Sequence, residues 1–236
     1  MLLYVIRHGD PDYSVDSLTP LGWRQAEAVG KRLASSGIDR VYSSPLGRAK
    51  DTAKPLCEML HLELNVLDWL SEHEAWNDLS CENSEGKKFF VFNARPSSEF
   101  KSDDMLYLSN EEYDLTNKTP GMSVQKAHKR IGEGSDKLMA DLGYTRISRA
   151  LYEATPGSDQ RIAVFCHEGA SMGWLSYLTG IPAHIFWSSF AISHSAVSIF
   201  HFEPQGISNA KCIAMCDTSH IYGDGLPMLH KNHLRY

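Results

Sequence analysis

Hydrophobic positions at the start of the chain form one short, uninterrupted run. Leu2 to Ile6 is apolar and includes β-branched residues, a pattern typical of a buried strand. The run ends at Arg7-His8-Gly9, where the glycine allows the backbone to turn sharply. An imidazole and a guanidinium are therefore predicted side by side at the carboxyl end of a strand.

The next part of the chain alternates between helical and strand periodicity. Two helices are expected to begin with a hydroxyl residue followed by proline, a preferred N-cap and first-turn pair. Pro55 lies inside the second helix and should bend or split it. The predicted elements are a helix from Thr19-Pro20 to a stop at Gly37, a strand at 40–43, a helix from Ser44-Pro45 to about Leu60, and a strand at 62–67.

This order of strand, helix, strand, helix and strand predicts a βαβαβ unit with a parallel sheet. Later in the chain, residues 161–166 predict a buried strand and residues 169–178 a helix. Residues 192–202 and 210–215 predict two more strands, paired antiparallel at one edge. We therefore expect an α/β fold, a three-layer α/β/α sandwich with a mostly parallel central sheet.

The middle of the chain follows a different pattern, because residues 73 to about 155 contain no strong strand signal. An acidic stretch at 99–114 precedes several bases, including Lys126, Lys129 and Arg130. We expect an inserted, partly helical cap segment at about 77–155, within a single domain that spans 1–236. The charges predict a solvated face, or alternatively a lid over a functional site.

Composition excludes several classes of protein. A net charge of -6 argues against general nucleic-acid binding. No apolar run is long enough to cross a membrane, and the start does not resemble a signal peptide. The five cysteines form no CxxC pair and predict structural thiols in a reducing cytosol. We expect a cytoplasmic protein with no membrane partner, and edge strands leave a homodimer possible.

Candidate chemistry collects at one edge of the predicted sheet. Arg7 and His8 end the first strand, and Arg48 lies in the first turn of a helix that follows another strand. Glu72 and His167 each come just after a strand. Ligand sites of open α/β sheets form at the carboxyl ends of strands. Arginine suits phosphate oxygens and histidine can attack phosphorus, so these residues predict a phosphoryl site.

The same segments contain motifs whose order and spacing resemble the histidine phosphatase superfamily, in the branch that includes phosphoglycerate mutases and small-molecule phosphatases. The resemblance covers roughly 1–76 and 160–222. The matching motifs are Arg7-His8-Gly9, the run from Leu18 to Ala26, Ser43-Ser44-Pro45 with Arg48 and Thr52, Leu70-x-Glu72, His167 after a strand, Ile181-Pro182 with Phe186-Trp187, and Asp217-Thr218-Ser219-His220.

The resemblance implies a role for each residue of the group. His8 would be the nucleophile and become phosphohistidine, while Arg7, Arg48 and His167 would bind the phosphoryl oxygens. Glu72 would protonate the leaving alkoxide and then activate water. A neutral His8 needs its tautomer fixed by a partner such as a backbone carbonyl. No metal or other cofactor is implied, because arginines can supply the charge that phosphoryl transfer needs.

Departures from the mutase pattern favour net hydrolysis of a small phosphomonoester. Asp10-Pro11-Asp12 replaces the Glu-Ser start that usually follows Arg-His-Gly, and Ala75 replaces a tyrosine after the catalytic glutamate. The middle segment has no Arg-Arg pair for a substrate carboxylate; Arg95 stands alone. The alternatives are a mutase-like phosphotransferase and an inert protein that binds a phosphorylated ligand on the same fold.

Glu168 is a further departure, since the superfamily usually has glycine after this histidine. Its backbone N–H can still reach a phosphate and is assigned to substrate binding. Its carboxylate must then point away from the site, because it would otherwise repel the ligand.

Other residues have competing structural interpretations. Taken alone, Arg48 could lie on a helix surface and Glu72 could be a solvated loop acid. The remaining candidates are Glu74, which competes with Glu72 for the acid role; His73, expected at the surface; His194 and His220, expected to be structural; and Tyr13, Trp76, Phe89 and Phe92, which suit either stacking on a sugar or base or packing in the core.

Overall fold

The computed structural model describes residues 1–83, 85–94, 97–116 and 122–227. Its strands are β1 (Leu2–Arg7), β2 (Pro11–Asp12), β3 (Ser17–Leu18), β4 (Arg40–Ser43), β5 (Leu64–Val66), β6 (Ser80–Glu82), β7 (Lys88–Phe90), β8 (Tyr144–Arg146), β9 (Leu151–Ala154), β10 (Arg161–Cys166), β11 (Val197–His201), β12 (Gly206–Asn209) and β13 (Lys211–Asp217). Its α-helices are α1 (Pro20–Ala34), α2 (Gly47–Leu60), α3 (Glu72–Leu79), α4 (Val91–Ala94), α5 (Asp103–Leu106), α6 (Asn110–Thr116), α7 (Val124–Asp141), α8 (Glu168–Thr179), α9 (Ala183–Ser189) and α10 (Ser219–Gly223).

The central sheet has six strands in the order β13-β11-β1-β10-β4-β5. β1, β10, β4 and β5 are parallel, whereas β11 is antiparallel to both of its neighbours. The expected α/β sandwich with a mostly parallel sheet is confirmed, as is the antiparallel pair at one edge. The late strand β10 lies between β1 and β4, so the carboxyl ends of the first and late strands are adjacent.

Side chains alternate along each central strand between two hydrophobic cores. Leu3 and Val5 join the core formed largely with α7 and α8, whereas Tyr4 and Ile6 join the core beneath α1 and α2. β10 alternates in the same way, with its apolar side chains fully buried on both faces. A strand covered on both faces reads as a continuous apolar run, which explains why β1 and β10 were evident in the sequence.

The helix expected from Ser44-Pro45 begins two residues later, so the predicted cap was wrong. Leu46 is the N-cap of α2 and makes no side-chain cap bond. The Ser44 hydroxyl lies 2.7 Å from His167 Nε2 instead. Pro55 does not split α2, which runs unbroken to Leu60. It is buried against Gly30 of α1, where an added Cβ would lie 3.2 Å from the proline ring.

The segment at 73–155 contains strands that its sequence did not predict. β6 and β7 form a hairpin, and β8 and β9 form a second sheet together with the distant β12. The predicted edge strand at 192–202 begins only at Val197. Part of the acidic stretch has a local structural role, since Asp114 accepts hydrogen bonds from the backbone N–H groups of Val124 and Gln125 at the start of α7.

Asp78 links α3 to α7 beside the site described below. Its carboxylate, 2% exposed, accepts from Lys126 Nζ at 2.9 Å and Arg130 Nε at 3.0 Å. We expect Asp78→Ala to lower the free energy of unfolding by about 2 kcal/mol, because Arg130 loses its buried partner. Urea denaturation measures this. Asp141→Ala, which removes an exposed acid from α7, should stay within about 0.5 kcal/mol of the parent, and equal losses in both variants would contradict the prediction.

Within the described part of the chain, no helix combines the length and apolar character needed to cross a membrane.

Candidate active site

Close backbone packing fixes the loop that follows β1. A Cβ added at Gly9 would lie 2.8 Å from the carbonyl oxygen of Gly22, so only glycine fits. The Gly9 N–H also donates to Thr52 Oγ1 at 3.0 Å. The need for glycine here therefore comes from the approach of α1 rather than from a left-handed turn. This loop presents His8 at the carboxyl end of the sheet.

His8 is buried and held in one orientation. Its Nδ1 lies 2.7 Å from the Gly9 carbonyl oxygen, so Nδ1 carries the proton and Nε2 is left with its lone pair. Burial, followed by the nearby His167 and Arg7, lowers the pKa of His8 well below 6.5. A neutral imidazole with a free Nε2 is the form required for nucleophilic attack.

His167 lies beside His8 at the end of β10, with 5.1 Å between the ring centroids. Its Nε2 contacts the Ser44 hydroxyl at 2.7 Å, and its buried Nδ1 has no hydrogen-bond partner. If the hydroxyl donates to Nε2, the proton lies on Nδ1 and remains available to a further acceptor. Burial and Arg48 lower the pKa of His167 well below 6.5, so its ring is neutral and can offer a donor without a positive charge.

Each arginine of the site contacts a carboxylate. Arg7 Nη1 lies 3.2 Å from Glu168 Oε2 and donates to the Ile192 carbonyl at 2.5 Å. Arg48 Nη1 lies 2.5 Å from Asp16 Oδ1. Both guanidiniums are buried, and Arg48 Nε has no partner. Bidentate donors of this kind bind phosphate oxygens, and here a ligand must share them with the two carboxylates.

Glu72 begins α3 and is bound to the first turn of α8. Its Oε1 accepts from the Gly169 N–H at 3.0 Å and its Oε2 from the Ala170 N–H at 2.9 Å. Burial raises the pKa of Glu72 above its usual 4.5, although these two N–H groups and Arg7 oppose that effect. A carboxyl group with a raised pKa is suited to donating a proton.

One cavity of about 610 Å³ joins these groups. Its volume lies in the range of ligand sites and exceeds what a phosphoryl group alone needs. Of the predicted residues, Arg7, His8, Arg48, Glu72 and Glu168 line it, whereas the fully buried His167 is not among the lining residues and lies beside His8. The other lining residues are Tyr13, Asp16, His73, Trp76, Lys88, Phe89, Phe90 and Asn93.

The orientation expected for Glu168 was wrong, because its carboxylate does not point away: it lies 3.2 Å from Nη1 of Arg7, which lines the cavity. The ion pair with Arg7 offsets the cost of burying this second carboxylate. The first N–H groups of α8 that follow it are bound to Glu72.

Several residues near the site were missed or interpreted differently from sequence. Asp16, whose Oδ2 also accepts from the Gly47 N–H at 2.6 Å, had no motif to identify it. His194 was expected to be structural, yet its ring centroid lies 5.4 Å from that of His8, and its Nδ1 lies 3.6 Å from Asp10 Oδ1. Spacing alone could not show this, because 186 residues separate the two histidines.

Each remaining candidate residue that the structure describes lies either at the cavity or in the structure around it. His73 is exposed but lines the cavity, whereas Glu74 is exposed and does not. Phe92 stacks on Phe90 and packs against the core, at 5.1 Å between centroids. His220 contacts Ser195 Oγ at 3.0 Å, which ties α10 to the loop before β11. Arg95 lies outside the described residues.

Among the described residues, no group of three or more His, Cys, Asp or Glu side chains is arranged to hold a metal ion. All five cysteines are free thiols.

We expect Glu168→Gln to strengthen inhibition by inorganic phosphate about tenfold, because Arg7 would lose a competing carboxylate and a repulsive charge would leave the cavity. The inhibition constant for phosphate measures this. Glu74→Gln, with the same loss of charge outside the cavity, is the matched control. Unchanged or weaker inhibition in Glu168→Gln would show that the carboxylate does not compete for the anion.

The model of the family described as "Histidine phosphatase superfamily (branch 1)" matches residues 3–212. A putative phosphoserine phosphatase of Hydrogenobacter thermophilus is 25% identical over 227 residues, covering 92% of this chain and 97% of that protein. A probable phosphoglycerate mutase of Proteus mirabilis is 38% identical over 65 residues, covering 24% of this chain and 30% of the mutase.

Solved structures agree with the fold. A phosphoserine phosphatase of Entamoeba histolytica in complex with 3-phosphoglyceric acid superposes with a TM-score of 0.59 and 16% identity, covering 93% of this chain and 98% of that one. A mycobacterial glucosyl-3-phosphoglycerate phosphatase with inorganic phosphate gives a TM-score of 0.61 and 18% identity, with coverages of 93% and 98%.

Proposed function

This chain belongs to branch 1 of the histidine phosphatase superfamily, and we propose that it is a metal-independent phosphatase that hydrolyses a small phosphomonoester through a phosphohistidine. The proposal rests mainly on the protonation state and position of His8. It is neutral, its Nδ1 is occupied by the Gly9 carbonyl, and it lines one cavity with two arginines and Glu72.

In the first step, the Nε2 lone pair of His8 attacks phosphorus and the bond from phosphorus to the ester oxygen breaks. Glu72 gives its proton to the departing alkoxide. Arg7, Arg48 and His167 Nδ1–H bind the other phosphoryl oxygens, where charge stabilisation contributes most to phosphoryl transfer. The alcohol then leaves, and the phosphoryl group remains on His8.

In the second step, water attacks phosphorus while the Glu72 carboxylate takes its proton. The phosphorus–nitrogen bond breaks, His8 recovers its lone pair and phosphate is released. Glu72 regains the proton it gave in the first step, so the enzyme returns to its starting state.

Hydrolysis is favoured over a mutase reaction by the sequence departures and by the relatives. The relative matched over 92% of this chain is named a putative phosphatase, whereas the probable mutase is matched over 24% of it. An inert binding protein is the third alternative, and retention of His8 with Glu72 in one cavity argues against it.

Phosphate release from a panel of small phosphomonoesters, with EDTA present, tests the proposal. Release that survives EDTA is expected. The mutase alternative predicts transfer of labelled phosphoryl from one sugar phosphate or glycerate to another, with little label in inorganic phosphate. Binding of esters without either product would favour the inert protein.

The pH profile of kcat/KM for an alkyl phosphate should be a bell with its maximum on the acidic side of neutrality. His8 stays neutral well below pH 6.5, because burial lowers its pKa. The acid limb of the profile is therefore shifted to lower pH. Glu72 donates only while protonated, and burial raises its pKa above 4.5, so activity falls only as the pH passes this raised pKa. An aryl ester with a good leaving group should lose the alkaline limb; identical profiles for both esters would contradict these assignments.

A further inference from the structure

Both arginines of the cavity are paired with carboxylates before any ligand enters. Arg7 is paired with Glu168 and Arg48 with Asp16, at 3.2 and 2.5 Å. Lys88 is the remaining cation among the described lining residues; it is exposed to solvent, and its Nζ lies 5.8 Å from the ring centroid of Trp76. The two arginines can attract one phosphoryl group. A second acidic group on the substrate would meet, among the described residues, only this exposed lysine, whose charge solvent screens.

Aromatic rings form another part of the cavity lining. Trp76 of α3 and Phe90 of β7 meet edge to face, with 4.9 Å between ring centroids. Phe90 is itself stacked on Phe92 at an interplanar angle of 7°. Trp76 is therefore held in one orientation while its side chain remains only half-buried. We call Trp76 and Phe90 the aromatic wall.

A third ring reaches the cavity from the loop between β2 and β3. Tyr13 is 69% exposed, and the Arg48 guanidinium lies 5.3 Å from its ring centroid. Tyr13 is thus tied to the phosphate-binding end, while the aromatic wall comes from α3 and β7. Phe90 is a buried core residue, 8% exposed, whereas Tyr13 and Trp76 are not, so the ring surface open to a ligand comes from Tyr13 and Trp76.

We propose that the substrate is a phosphomonoester whose alcohol contains a flat aromatic ring, bound against the aromatic wall, and which bears no second acidic group. This inference deepens the proposed function and rests on it. Ring faces and edges already fixed by packing bind another ring with little loss of side-chain entropy. The chemistry is shared by arylalkyl phosphates and nucleoside monophosphates.

Two matched pairs of esters test ring recognition in the wild-type protein. Benzyl phosphate and cyclohexylmethyl phosphate have the same charge, similar size and alcohols of similar acidity, but only the first has a flat ring. We expect kcat/KM to be about three- to tenfold higher for benzyl phosphate. Adenosine monophosphate compared with ribose phosphate distinguishes a nucleobase from a simple aryl group. Ratios near one in both pairs would overturn the proposal.

A third pair tests charge. Glycerol phosphate is expected to be a better substrate than phosphoglycerate, which differs from it by a carboxylate. A preference for phosphoglycerate would overturn the low-charge part of the proposal.

Two variants test whether Trp76 is responsible for the preference for benzyl phosphate. Trp76→Leu should reduce the benzyl preference to near one, whereas Tyr107→Leu, which removes an 87% exposed ring that does not line the cavity, should keep it. Equal preferences in the two variants would contradict the role of Trp76. Failure of the proposed function is a separate result: no ester would release phosphate, or release would persist in His8→Ala. If Trp76→Leu does not fold, the ester pairs still decide.

Discussion

His8→Ala is expected to lower the rate of phosphate release by at least about 10⁴-fold, because the substitution removes the atom that forms the covalent intermediate. Among the described residues, no other histidine at the cavity is placed to replace His8 as the nucleophile. His167 Nε2 is taken by Ser44, and the exposed His73 lies at the cavity surface. Initial rates with a preferred ester measure the loss.

A second readout identifies the intermediate. Brief reaction with a labelled ester should place acid-labile label on the wild-type protein and none on His8→Ala. His201→Ala is the control, because His201 lies on β11, contacts Glu203 and does not line the cavity. It should keep both rate and label. Release at the wild-type rate by His8→Ala would mean that a different nucleophile acts.

Glu72→Ala should lower kcat/KM for an alkyl phosphate by about 10²- to 10⁴-fold, the range for removing a general acid. The loss should be at least about tenfold smaller for 4-nitrophenyl phosphate, because its leaving group departs without a proton. Burial raises the pKa of Glu72, which keeps a larger share of it protonated than an exposed glutamate. Rates with the two esters, measured on the same preparations, give the comparison.

Glu72 also binds the first turn of α8 through Gly169 and Ala170, so a purely positional role must be distinguished from proton donation. A positional role would lower the rates with both esters to the same extent. Glu74→Ala is the matched control, since it removes a carboxylate from the same helix outside the cavity. A large loss in Glu74→Ala would instead favour Glu74 as the acid.

Much of the fold was predictable because its signals are local. β1 and β10 are buried on both faces and appear as continuous apolar runs. The Thr19 N-cap accepts from the Gly22 N–H and begins α1 as the sequence predicted. The candidate site was predictable for a related reason, because each of its motif residues follows a strand, and the carboxyl ends of parallel strands meet at one edge.

Strand pairing and side-chain direction were not predictable, because they depend on residues distant in sequence. β8 and β9 lack a strand pattern of their own and are completed by β12, more than 50 residues away. Ser44 was expected to cap a helix but contacts His167 instead. In each case a tertiary partner outweighed the local preference.

The sequence by itself determined which groups are present at the site: a nucleophilic histidine, two arginines, a second histidine and an acid at the ends of strands. Only the tertiary structure decided their electrostatic state. It turned Glu168 toward Arg7 and brought Asp16 to Arg48, and it buried His8 and Glu72 so that their pKa values shift in opposite directions. The physical reason is that desolvation and ion pairing depend on distances in space, which sequence spacing does not fix.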